Sequence, residues 1–316
     1  MDKTDEREVI IEVEHLTKDY GYGRGVFDIS VKIHKGECYG YLGPNGAGKS
    51  TTIRHIMGFA KPQKGRITIF GKDSFNNTEE LLNYVGYLPG EPAIPAGLDG
   101  MGFLRMMQDM RGYRNEERLN YLLELFKLNP NISVKSMSLG EKRKLAVVAA
   151  FMNDPEVLIL DEPTSGLDPI MQEVFINFII EEKKRGKTIL LSSHIFSEVD
   201  ATCDTISIIK DGIHVSTFKA NDLKKGNVVT YEIKFEDKDN LDAFLKDKRF
   251  VSAKKGETAC ITDVQVPDCA EFLRTLNTFK IKEFGEVPFT LQDYFMSFYK
   301  EEKTFDGLAG VKGNAK

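Results

Sequence analysis

Gly43-Pro44-Asn45-Gly46-Ala47-Gly48-Lys49-Ser50-Thr51 is the stretch that decides the fold. Gly43, Gly48, Lys49 and the hydroxyl residue Ser50 stand at the fixed positions of a phosphate-binding P-loop. The glycines let the backbone curl until its N–H groups point inward at phosphate, and the positive end of the following helix adds to the pull. Lys49 reaches toward β- and γ-phosphates, and Ser50 offers a hydroxyl to Mg²⁺. The bland reading is a glycine-rich turn with no ligand, and the flanks decide against it. Glu37–Leu42 reads as a strand, and Ser50–Phe59 carries Ile53, Ile56 and Met57 at helical spacing.

Working outward, Val9, Ile11 and Val13 alternate with Glu12 and Glu14, the period of a half-buried strand, and Ile29–Ile33 repeats it. Arg66–Phe70 is a further strand. From about Leu98 to Lys127 the pattern is helical, and its Met106, Met107 and Met110 read as core packing rather than a cofactor or partner face. Val157–Leu160 and Thr188–Ser192 are continuous apolar runs, as parallel strands covered on both faces require. The economical fold is doubly wound α/β.

The first of those runs ends in Asp161-Glu162-Pro163. Two adjacent carboxylates closing a buried strand are costly unless a cation and a reacting group use them. Asp161 would hold the Mg²⁺ shell and Glu162 would polarise an attacking water as general base. A lone Asp-Glu is commonly just a solvated strand end; beside a complete P-loop that reading is poor.

Together these elements resemble the nucleotide-binding domain of ABC transporters over roughly Val9 to Phe218. Ser138-Leu139-Gly140-Glu141-Lys142 stands where that family carries its LSGGQ signature, retaining Ser138 and Gly140. By itself it is a helix cap, Ser138 with Glu141 three on. The resemblance implies that Ser138 and Gly140 meet the γ-phosphate across a dimer, that Asp168 of Ser165–Asp168 lines the dimer seam, and that His194 is the switch histidine stabilising developing charge. It also implies that an aromatic ring ahead of the P-loop stacks on adenine, for which Tyr20 is the candidate and Tyr22 its competitor. Two departures stand out. Gly90 occupies the place of the family's loop glutamine, so only Glu91 beside it offers a carboxylate, against a plain reading as a solvated loop acid. Leu139 and Glu141 replace the Gly and Gln of the signature. The implied fold is a P-loop NTPase (ABC ATPase) domain with an antiparallel β subdomain and a helical lobe at about residues 90–150.

The chain's 316 residues leave room for a second, smaller domain. Polar, turn-prone Ala220–Asn227 marks the boundary, giving an ATPase domain at 1–220 and an accessory unit at 221–300. Strand 228–236, helix 238–248, strand 250–254, strand 258–264, helix 267–278 and strand 280–287 make a βαββαβ order, an α+β ferredoxin-like unit. Leu291–Tyr299 reads as a closing helix and 301–316 as a polar, frayed tail. Met1–Arg7 lacks the basic and apolar regions of a signal peptide, and no apolar run is long enough to span a bilayer. Cys38, Cys203, Cys260 and Cys269 form no metal spacing. A net charge of −5 argues against nucleic acid as a partner.

The resemblance therefore implies an ATP-hydrolysing subunit with ATP and Mg²⁺ as ligands, on the cytoplasmic face of the cell membrane. One P-loop and one signature without an internal repeat require a second copy or a homologue, and a separate transmembrane permease. A C-terminal unit after a single ATPase domain resembles the arrangement in bacterial drug, antibiotic and polysaccharide exporters, and that resemblance implies export rather than import. A soluble relative acting on ribosomes or DNA would carry two ATPase domains or a coiled-coil insertion, and a P-loop kinase leaves the signature and His194 unexplained. A poorly hydrolysing regulatory subunit is the rival that the altered signature and missing glutamine favour.

Overall fold

The computed structural model describes residues 7–224, 228–287 and 290–296. Two compact units meet at the Ala220–Asn221 bond. In chain order the first contains β1 (Val9–Asp19), β2 (Gly25–His34), β3 (Cys38–Leu42), α1 (Lys49–Ile56), β4 (Lys64–Ile69), β5 (Lys72–Asp73), α2 (Thr78–Leu81) and β6 (Val85–Leu88). There follow α3 (Gly100–Arg111), α4 (Glu116–Leu125), α5 (Leu139–Phe151), β7 (Val157–Asp161), α6 (Pro169–Lys184), β8 (Thr188–Ser193), α7 (Phe196–Thr202), β9 (Thr205–Lys210) and β10 (Ile213–Lys219). The short helix α8 (Ala220–Lys224) straddles the boundary.

One sheet is antiparallel, in the order β2-β1-β4-β5. The other runs β10-β9-β3-β8-β7-β6; five of its strands are parallel and β10 lies antiparallel at the edge. Its central strands are apolar throughout because both faces are covered: every residue of β3, β7 and β8 is buried. The core between the sheets joins Ile11, Val13, Ile29 and Ile67 to Tyr41, Ile53 and Ile159. This parallel arrangement positions the site. Four neighbouring strands, β3, β8, β7 and β6, deliver the P-loop, His194, Asp161-Glu162 and Gly90 at their carboxyl ends, where open α/β sheets bind ligands.

Two readings need correction. The stretch Leu98–Lys127 is not one helical run. Gly112, at φ 64°, closes α3, and the Asn115 side chain accepts from Arg118 N–H to start α4. The methionine stripe is not core: Phe103 and Leu104 are buried, Met106 and Met107 are half-buried, and Met110 is 73% exposed. Behind α4, Phe126 meets Phe178 of α6 edge-on at 5.5 Å and closes the apolar interior.

The second unit contains β11 (Val228–Phe235), α9 (Lys238–Phe244), β12 (Val251–Lys254), β13 (Ala259–Gln265), α10 (Cys269–Leu276) and β14 (Ile281–Val287). Its strands pair antiparallel in the order β12-β13-β11-β14. Ile233, Phe235, Phe244, Phe250 and Phe272 form its core, and Tyr231 stacks on Phe272 at 5.2 Å. Residues 291–296 are helical. The rest of the expected closing helix, the tail at 301–316, residues 1–6 and residues 225–227 lie outside the described residues. Among those described, no helix is long and apolar enough to cross a membrane.

Candidate active site

Close approach explains the P-loop glycines. A Cβ on Gly43 would stand 2.4 Å from the Ile209 carbonyl, and Gly48 holds φ 107°, a conformation that L side chains rarely adopt. Gly43 N–H donates to Ser193 O, and the buried Ala47 accepts from Gly212 N–H through its carbonyl. Pro44, Asn45 and Gly46 remain exposed above this anchored base. Lys49 opens α1 with its side chain only 5% exposed, and Nζ donates to Gly43 O at 2.7 Å and Pro44 O at 3.1 Å.

A cleft of about 790 Å³ opens beside it, lined by Asn45, Lys49, Ser50, Thr51 and Glu162, with Tyr20 on its wall. Tyr20 is 56% exposed, and Lys18 Nζ lies 5.3 Å from its ring centroid. Tyr22 is fully exposed and does not line the cleft. Arg24, Arg54 and Asp211 also line it, and sequence reasoning missed them. No motif marks Arg24 or Asp211, and Arg54 looks like any solvated helix cation.

At the end of β7 the two carboxylates part. Asp161 is 3% exposed, and its Oδ1 accepts from Ser192 Oγ at 2.5 Å. Glu162 turns into the cleft at φ 49°. Its Oε1 lies 2.9 Å from Lys49 Nζ but receives no directed hydrogen bond, while its Oε2 lies 2.5 Å from His194 Nδ1. His194, 44% exposed, is thus brought to Glu162 by β8, the strand beside β7.

Ser138 and Gly140 are placed otherwise. Ser138 caps α5 in a reciprocal box: Glu141 N–H donates to its Oγ, and Glu141 Oε2 accepts from both the N–H and the hydroxyl of Ser138. Gly140 packs against the loop between β7 and α6, where a Cβ would stand 3.2 Å from Gly166 O. Asp168 caps α6 by accepting from Met171 N–H, with Pro169 in the first turn. None of the three lines the cleft. Gly90 lies against Asp161: its Cβ would be 3.3 Å from Asp161 Oδ2. Glu91 is exposed and outside the cleft lining.

Two buried charges below the site also escaped the sequence reading. Arg143 is 2% exposed, and burial pulls its guanidinium down to about 10. Glu198, 1% exposed, accepts from Ser193 Oγ at 2.6 Å, and burial pushes its carboxyl up to about 7. The signal for Glu198 was an acid four residues after His194 on a helix face that also carries Val199 and Thr202, both buried.

The residues present fit Mg²⁺. Ser50 Oγ in the cleft and the buried Asp161 carboxylate are hard oxygen donors.

The family described as ABC transporter matches residues 26–165. The bacitracin transport ATP-binding protein BcrA of Bacillus licheniformis is 37% identical over 72% of this chain and 76% of its own. The Nod factor export ATP-binding protein I of Cupriavidus pinatubonensis is 34% identical over 68% of this chain and 67% of its own. A solved ATP-binding subunit of an ABC transporter superposes with a TM-score of 0.64 at 32% identity, covering 68% of this chain and 92% of that one.

Proposed function

The chain belongs to the ABC transporter family as an ATP-binding, ATP-hydrolysing subunit, and on that premise we propose that it works as half of an ATP-closed dimer driving export through a separate permease. One observation supports the dimer: Lys49, Ser50 and Glu162 line one cleft and Asp161 and His194 adjoin Glu162, whereas Ser138, Gly140 and Asp168 lie outside it, the first and last spent as helix caps. A site needing both groups is completed by the Ser138 end of a second subunit, with Ser138 offering its hydroxyl and the head of α5 its N–H groups.

Within the cleft Lys49 holds the β- and γ-phosphates, and the P-loop from Gly43 to Thr51 cradles them. Tyr20 stacks on adenine, a contact worth roughly 1–3 kcal/mol. Glu162 polarises the attacking water, and His194 holds the Glu162 carboxylate in the orientation that this needs. Ser50 and Asp161 would hold Mg²⁺, which when bound would neutralise phosphate charge.

An apolar groove of about 610 Å³ suits the permease. Tyr87, Pro92, Phe103, Met107, Met110 and Ala146 bound it, and exposed apolar surface of this kind marks interaction sites. Methionine walls adapt to an incoming helix. Export as the direction follows the name of the Nod factor export relative, and a permease partner puts the chain on the cytoplasmic face of the membrane. We read residues 1–220 as the ATPase domain and 221–300 as an accessory ferredoxin-like unit, a reading supported by the strand order β12-β13-β11-β14 with a helix in each crossover.

The test mixes a Lys49→Ala chain with a Ser138→Arg chain. Each homodimer lacks an intact composite site, and each heterodimer regains one. Hydrolysis should recover in part on mixing. Two variants that remain independent, with no gain over their separate rates, would refute shared sites. A melting curve of Ser138→Arg separates this from loss of the cap, which costs about 1 kcal/mol.

A further inference from the structure

We infer that Arg143 is a positioning residue for hydrolysis, fastening the two loops that frame Asp161 and Glu162 to the helix headed by Ser138. The inference rests on Glu162 acting as the base. All five N–H donors of the guanidinium are engaged, and every acceptor is a backbone carbonyl. Nη1 donates to Pro89 O at 2.5 Å and Gly90 O at 3.0 Å. Nε donates to Pro163 O at 2.9 Å. Nη2 donates to Asp161 O at 3.0 Å and to Glu162 O.

These carbonyls belong to segments leaving two adjacent parallel strands, β6 and β7. Gly90 presents no side chain to the site, so its loop is held beside Asp161 through the main chain instead. The grip also bears on Glu162. A glutamate at φ 49° stands in a sparsely populated region and keeps that conformation only where its surroundings fix it. Its N–H donates to Ser192 O at 3.0 Å, and its carbonyl accepts from Arg143. Together with Ser165 N–H, which also donates to the Glu162 carbonyl at 3.1 Å, those bonds set the direction in which the side chain leaves the backbone, and hence where the carboxylate meets water.

Arg143 sits five residues after Ser138, within the first two turns of α5. A shift of the Ser138 end, such as docking on a partner subunit's nucleotide would produce, reaches the Glu162 carbonyl through this side chain. Lysine cannot substitute: its ammonium has three donors at one point, against five carbonyls matched by a planar fork.

The experiment compares Arg143→Lys and Arg143→Met with the parent in the full chain, reading kcat, KM for ATP, ATP affinity by calorimetric titration, and melting temperature. A positioning role gives a kcat at least tenfold lower in both variants, with KM and affinity within twofold of the parent. A merely structural role lowers the melting temperature and leaves kcat per nucleotide-binding molecule unchanged; that result overturns the inference. So does failure of both variants to fold, which assigns Arg143 to the scaffold. Glu162→Gln run alongside keeps the two readings apart: parental turnover there sinks the assignment of the base, whereas a null result at Arg143 alone leaves that assignment standing.

Discussion

Lys49 Nζ and Glu162 Oε1 lie 2.9 Å apart, so the cation we assign to phosphate and the carboxylate we assign to water face each other across the cleft. Lys49 is also held by Gly43 O and Pro44 O. A γ-phosphate reaching for Lys49 competes with Glu162, and winning frees the carboxylate for water. Glu162→Gln removes the competitor along with the base. It should therefore bind ATP at least as tightly as the parent while turnover falls by about 10²-fold or more. Titration calorimetry and a phosphate-release assay read the two effects separately, and parental turnover would sink the role.

A second outcome concerns pH. The Glu198 carboxyl is pushed up to about 7 by burial, from an ordinary value of 4.5. Ser193 and Thr164 donate to it, Glu162 nearby raises it further, and Arg143 pulls it back. The folded chain thus holds a proton that the unfolded chain has released. That preference contributes stability in full below pH 4.5, loses it as pH climbs to about 7, and contributes nothing above. The span is on the order of 3 kcal/mol. Glu198→Gln cannot titrate, so its melting temperature should gain on the parent's between pH 5 and pH 8. Parallel curves for the two chains would refute the assignment.

The groove assigned to the permease makes a third. Met110→Glu places a charge on an apolar wall whose methionine is already 73% exposed, so the fold tolerates it. Co-purification with the permease should fall several-fold while ATP affinity, set in a different cleft, stays at the parental value. Undiminished co-purification would remove the groove from the interface.

What was legible in the sequence was whatever a short segment decides by itself. The P-loop, the carboxylates closing β7 and the histidine after β8 are each a strand end with its loop, and parallel pairing brings them together. Arg143 was illegible because Lys142-Arg143-Lys144 reads as a solvated basic run; only the fold reveals that the middle cation is buried. The break between α3 and α4 had its signals in Gly112 and Asn115, but the apolar periodicity on both sides masked them. Strands β9 and β10 went unread, the latter because its side chains alternate between exposed and half-buried and leave no apolar face. Ser138 was readable as a cap, and the reciprocal box with Glu141 adds only that its hydroxyl already has a partner.

The last outcome concerns Glu91, beside the glycine that replaces the family's glutamine. Gly90 packs against Asp161 so closely that a Cβ would stand 3.3 Å from Asp161 Oδ2, a contact that asks the carboxylate to give by a few tenths of an ångström. Glu91 is exposed and contributes nothing to the cleft lining. Reaching the site through a bridging water would set its charge against Asp161 and against phosphate. At about 5 Å and an effective dielectric of about 20, each such like-charge pair costs about 3 kcal/mol. Solvation of a hinge costs nothing comparable. The loop also has its own anchor in the carbonyls of Pro89 and Gly90, which Arg143 holds. Glu91→Ala and Glu91→Gln should therefore both leave hydrolysis within twofold of the parent, with and without the permease. A loss in the alanine variant that the glutamine variant restores would reverse this, making Glu91 the functional replacement for the missing amide.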